Sequence, residues 1–210
     1  GTTFSSTVNA ATVTLTDTAD AANITFTGNL TATTLNTATQ GYNVVFNGAS
    51  NTITNAVTFS NTGTLTLGNG SDTIAFTGGV TATAPSSINL NGIVTAAGTG
   101  VITLGDSDTG ISVGGNSTVG GTSTGNITLG AATLADGVTL TVGTGIANTL
   151  SLSSVTGTLS GSTSNLTIHT TGAATISGAV GTDIGTLTLT QTGGTTFSST
   201  VNAATVTLTD

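Results

Sequence analysis

The chain is 210 residues long, carries no Lys or Arg, and takes all of its net charge of −8 from eight Asp, so charged residues are 4% of the total against roughly 25% in an ordinary domain. Without cations it cannot neutralise phosphates by counterion release, attach to an anionic membrane through a basic patch, or use an Arg clamp or a Lys nucleophile. Nucleic acid and anionic lipid are therefore excluded as partners.

The rest of the composition favours strands. Thr alone numbers 55, and the chain is 36% hydrophobic with only 3% aromatic residues. Thr, Val, Ile and Leu suit a pleated, half-buried surface, while so few aromatics cannot fill a broad core. Gly numbers 31 but follows no three-residue period, which excludes collagen. No apolar run approaches the roughly 18 residues of a membrane-spanning helix. There is no Cys, Met or Trp, so disulfides are absent, and oxidisable and trypsin-cleavable sites are scarce. That pattern hints at an extracellular setting. No leader pattern is visible at Gly1, and the chain reads as a mature segment or a piece of something longer.

In chain order, apolar residues alternate with Thr or another small residue at Val13-Thr-Leu15, Ile24-Thr-Phe26, Val44-Val-Phe46, Val57-Thr-Phe59, Leu65-Thr-Leu67, Ile74-Ala-Phe76 and Ile88-Asn-Leu90. The rhythm continues through Ile102-Thr-Leu104, Ile127-Thr-Leu129, Leu140-Thr-Val142, Leu150-Ser-Leu152, Leu166-Thr-Ile168 and Leu187-Thr-Leu189. A period of two is the strand signature, with one apolar face and one hydroxyl face. No stretch has helical spacing. Gly, Asn, Ser and Asp separate the doublets and supply turns. Three turns follow Phe in the same way, at Gly28, Gly48 and Gly78. Within residues 1–193 the Phe residues lie only in the first 80 positions, which predicts a fatter core at that end.

Residues 194–210 repeat residues 1–17 without a change, GTTFSSTVNAATVTLTD in both places. The simplest reading is a tandem array: residues 1–193 are one full solenoid repeat unit, and 194–210 begin the next identical unit. A single duplication of the terminal segment is the rival account.

Many short, evenly spaced strands fit a solenoid or a sandwich. Hairpin signals are weak and the inward residues are small and aliphatic. The expected fold is therefore all-β, a parallel β-solenoid with two or three strands and about 20 residues per coil. That gives about ten coils per 193-residue repeat, and at about 4.8 Å per coil a unit of about 45–50 Å. Tandem β-sandwich modules are the alternative. Stability should be roughly a sum over neighbouring coils.

The runs GTLTLGNGSDTIAFTGGV (63–80), GVITLGDSDTG (100–110) and GNITLGAATLADGVTLTVG (125–143) resemble the strand-repeat regions of large bacterial surface proteins. These are the filamentous-haemagglutinin-like and autotransporter-like exoproteins. The resemblance spans the chain and rests on composition and rhythm. It implies a right-handed parallel β-helix at the cell surface, serving as an adhesin stalk or an extracellular fibre. Lacking Lys and Arg, and with so faithful a repeat, the chain departs from that pattern in the direction of a structural filament. Its expected partners are neighbouring identical units end to end, with lateral bundling of low-charge, hydroxyl-covered faces.

Candidate chemistry is sparse, and no enzyme activity is expected. Gly68-Asn-Gly70-Ser-Asp72 fits the glycine-aspartate calcium nonapeptide, and carboxylates suit that hard cation. Asp72, with Asp106 and Asp108, is therefore the calcium candidate, against the plain reading of Gly/Asp turns; no other cofactor is expected. Asp106 and Asp108 also raise a glycosidase reading, but LGDSDTG looks like a turn, and Asp17, Asp20, Asp136 and Asp183 are scattered. His169, the one His, cannot build a zinc site alone; it falls on the Thr parity of its strand, at a coil corner. Thr-x-Thr doublets such as Thr12/Thr14/Thr16, Thr64/Thr66, Thr139/Thr141 and Thr186/Thr188/Thr190 resemble the ice-binding faces of antifreeze and ice-adhesin solenoids. That role needs the doublets at one place in consecutive coils, whereas their spacing along the chain wanders. The expected function is thus a structural segment of a repetitive extracellular fibre. The alternative is the stalk of an adhesin, binding glycan or ice through a Thr-rich face or through a tip elsewhere.

Overall fold

The computed structural model describes residues 1–16, 19–159 and 161–209. Among these are 23 strands and no helix. Every strand pairing is parallel, which excludes the antiparallel sandwich and leaves the parallel β-solenoid.

The strands fall into three columns, visited in turn by each coil. The first column stacks Thr2, Ile24, Val44, Leu65, Ile88, Ile111, Ala132, Val155, Val180 and Val201. The second stacks Ile74, Val94, Val119, Val142, Ile168, Leu189 and Leu208. The third stacks Val57, Val80, Ile102, Ile127, Leu150, Ala174 and Thr195. Nine steps take the first column from Thr2 to Val201, at about 22 residues per coil. The unit of 193 residues therefore holds fewer than nine coils, where about ten were expected. The difference lies in the corners, which use more residues than short turns require. Between Leu67 and Asp72, for example, the strand Leu65–Phe76 bulges outward while its partner crosses from Leu90 to Gly92.

Alternation explains the cross-section. In Thr139–Val142 the residues run half-buried, buried, half-buried, buried, and Leu140 and Val142 are wholly enclosed. The inward side chains form one continuous core along the axis. At the end predicted to be fatter, Phe4, Phe26 and Phe46 stack face to face, with centroids 5.0 and 5.5 Å apart. Phe59 and Phe76 meet Phe46 edge-on at 6.2 and 6.4 Å, and buried Tyr42 donates its hydroxyl proton to the Leu15 carbonyl at 2.9 Å.

One corner carries a buried polar ladder that strand rhythm does not reveal. Ser123 Oγ donates to the Gly100 carbonyl at 2.7 Å. Asn148 Nδ2 donates to the Ser123 and Gly125 carbonyls, each at 2.7 Å. Thr170 Oγ1 donates to the Ile146 and Asn148 carbonyls at 2.8 and 2.7 Å. Where the chain turns between the second and third columns, its carbonyls point into the corner and leave the ladder. Each coil supplies the donor for the coil beneath. Asn148→Ala strands two buried acceptors, so it is expected to cost about 1–3 kcal/mol in denaturant unfolding.

Corners also demand glycine where the backbone is left-handed. Gly143 has φ of +88°, and a Cβ placed there would overlap the His169 carbonyl oxygen of the next coil.

Candidate functional surface

Acidic residues are distributed among the corners rather than gathered. Asp72 closes its own bulge: Oδ2 accepts the Asn69 N–H at 2.9 Å. Asp106 lies at a different corner, between the third and first columns. Its Oδ1 accepts the N–H groups of Asp108 and Thr109, both at 2.9 Å, while Asp108 takes a long bond of 3.4 Å from the Ser107 hydroxyl. Both segments are thus side-chain-closed turns of the kind Asp forms with its own backbone. Asp136 accepts the Thr158 hydroxyl proton at 2.6 Å. Asp183 sits at a left-handed backbone position with φ of +67°. Asp17 lies outside the described residues. No group of three His, Cys, Asp or Glu side chains comes together among the described residues.

The turn at Asp106 has an electrostatic consequence. The backbone N–H bonds from Asp108 and Thr109 hold its carboxyl below the usual carboxylate range. A folded-state value depressed below the unfolded one contributes stability above the unfolded pKa, and that stability is lost as pH falls through the folded value. The Tm advantage of the native chain over Asp106→Asn should therefore be present near neutrality and vanish in acid, below about pH 4. Melting curves of the two proteins across that range check it.

His169 ends the strand Ser164–His169, half-buried and on the outward parity. Its Nε2 lies 3.1 Å from the side-chain oxygen of Gln191 in the next coil, and its register partner is Thr190.

The outer faces are built mainly of hydroxyls. On the third column Thr58, Thr81, Thr103, Thr128, Ser151, Thr175 and Thr196 stand one above another over seven coils. On the second column Thr118, Thr141, Thr167, Thr188 and Thr207 form a second rank. Beside it runs Thr139, Asn165, Thr186 and Thr205. The doublets singled out in the sequence scatter as their spacing suggests. Thr12 and Thr14 pair with Thr34 and Asn36, Thr66 stands in the first column, and Thr139/Thr141 and Thr186/Thr188 share the second, two coils apart. Successive strands of any one column nevertheless keep register, because corners of unequal length absorb the differences. In the second column the pairs Thr139/Thr141, Asn165/Thr167, Thr186/Thr188 and Thr205/Thr207 thereby form a lattice of about 4.8 Å between coils and about 6.6 Å along each strand.

A shallow groove of about 490 Å³ runs along the first column beside the Asp72 bulge. Asn47, Asn69, Asn89 and Asn91 line it with Thr66 and Ser112. Its lining holds no acid, base or aromatic ring, so it offers amide and hydroxyl hydrogen bonds and no proton-transfer group. Neither this groove nor the corner ladder was anticipated from the sequence. The ladder does leave a trace there: Ser123-Thr-Gly125 and Thr170-Thr-Gly172 share a hydroxyl two residues before Gly, and in both that oxygen accepts the Gly N–H at 2.9 Å.

No family model, curated protein or solved structure matches this chain.

Proposed function

We propose that the chain is a structural segment of a repetitive extracellular fibre or cell-surface filament, with mechanical span as its role and no catalytic one. The observation that carries this reading is the continuity of the three columns. Residues 195–197 and 201–209, from the second copy of the repeated sequence, pair directly onto the coil beneath. Each coil is thus the template for the next, and lengthening the chain by another unit requires no new kind of contact. Cohesion comes from backbone ladders, aliphatic stacks and hydroxyl ranks, none of which needs a cation. The net charge of −8 biases the surface against anionic partners.

The test is length. Chains of one, two and four 193-residue units, imaged by electron microscopy, should be rods that grow by about 42 Å per unit, with a 4.8 Å axial repeat. Beads on a string, or rods whose length does not follow the unit count, would refute the fibre reading.

A second reading is favoured by the registered Thr doublets of the second column: an ice-binding face on the stalk of an adhesin. Its measure is thermal hysteresis of the purified chain, and its absence would retire the idea.

A further inference from the structure

The repeated 17-residue sequence occupies two different columns. In the first copy, Thr2–Phe4 lies in the first column, with Thr2 beside Ile24 and Phe4 beside Phe26. In the second copy, Thr195–Phe197 lies in the third column, with Thr195 beside Ala174 and Phe197 beside Ile176. The next segment shifts in step. Val8 stands in the second column beside Leu30, whereas Val201 stands in the first beside Val180. From Thr2 to Thr195 the chain makes eight full coils and then two strands of a ninth.

The shift has a physical basis. The strand Val180–Thr190 ends in the second column, and after four intervening residues Thr195 begins the next strand. To reach the first column instead, the chain would have to cross the third without forming a strand there. That would strip the pairing from Ala174–Ile176, including the 2.9 Å bond from the Ala174 N–H to the Gly194 carbonyl. The segment tolerates both placements because its parity is the same in each. Phe4, Val8, Val13 and Leu15 point inward in the first copy, and Phe197, Val201, Val206 and Leu208 take inward positions in the second.

We infer that the repeat and the coil are incommensurate by one column. Each unit contains eight and two-thirds coils, so successive units in an array are rotated by a third of a turn about the fibre axis. Three units then close the pattern in 26 coils, about 125 Å at 4.8 Å per coil. The inference rests on the fibre reading and sets its surface. A group that projects from one face, such as the His169–Gln191 pair, returns to that face only at every third unit. Lateral contacts are thereby shared among three faces instead of lining up along one.

The frame can be read in the chain itself, which has no native Cys. Pyrene maleimide on the pair Thr175→Cys and Thr196→Cys should give strong excimer emission, because these residues are register partners. The pair Gly181→Cys and Thr196→Cys should give monomer emission. Dilution with unlabelled protein should leave both ratios unchanged. The pair Thr128→Cys and Ser151→Cys, register partners inside the unit, reports the solenoid independently and should also give excimer. Excimer from the 181/196 pair would place the second copy in the frame of the first and overturn the rotation. Monomer emission from both pairs containing residue 196, with the control intact, would remove the second copy from the coil and overturn it equally. Loss of the control signal would instead overturn the solenoid, and the rotation with it. In chains of four units the rotation predicts a third of a turn per unit by electron microscopy; aligned units would refute it while leaving the fibre standing.

Discussion

Phe46→Ala is expected to destabilise the solenoid by about 3–5 kcal/mol. Phe46 is wholly buried and stands at the junction of the aromatic cluster, stacked on Phe26 with an interplanar angle of 13° and meeting Phe59 and Phe76 edge-on. Its loss removes ring area from water-free contact, breaks three aromatic pairs worth about 0.5–1.5 kcal/mol each, and leaves a cavity between coils that cannot collapse without disturbing their ladders. Leu134→Ala, on the same column, provides the comparison. Leu134 faces Gly157 in the next coil, where there is already little side chain to lose, so its cost should lie near the lower end of the roughly 2–5 kcal/mol for such truncations. Denaturant unfolding followed by circular dichroism measures both. Equal costs would show that the ring cluster adds nothing beyond its buried area. Because coils contact only their neighbours, the Phe46 variant should also lose protection in hydrogen exchange first among the coils around residue 46, before those past residue 100.

Leu140→Asp should be as damaging, for a different reason. Leu140 is wholly buried in the second column between Ser117 and Leu166. A carboxylate there is an unpaired charge in an apolar stack, and the chain has no Lys or Arg to meet it. The cost is about 3–5 kcal/mol, and it must depend on pH. Burial raises the carboxyl pKa above its unfolded value, so the penalty is present above that folded value and relieved as pH falls and the group protonates. Leu140→Asn, which cannot ionise, should be destabilised without that relief. Tm measured from pH 7 to about pH 4 separates the two variants; parallel curves would mean that the aspartate has escaped to solvent.

The two variants test parts of the structure that were legible to different degrees. The inward placement of Leu140 and Phe46 follows from two-residue alternation alone, and so does the outward placement of His169. The bulge at Asp72 and the turn at Asp106 were likewise readable, because Gly, Asn and Asp close turns through their own backbone. The donor ladder of Ser123, Asn148 and Thr170 was not. Its members lie 22 to 25 residues apart and are defined by carbonyls of another coil, so no local window contains the interaction. The Asn-lined groove escaped for the same reason: Asn47, Asn69 and Asn89 become neighbours only when coils stack.

Composition and alternation by themselves determined that this chain is all strand, that its faces divide into aliphatic and hydroxyl, that its ends repeat, and that its aromatic core lies toward one end. These are properties of adjacent residues, set by sterics and by the two-residue period of an extended backbone. Tertiary structure alone decided how many residues each corner consumes, which Thr residues stand in line, and in which column the repeated segment resumes. Corner length is free to vary as long as the next strand meets the ladder below it, so register is chosen by hydrogen bonding between coils.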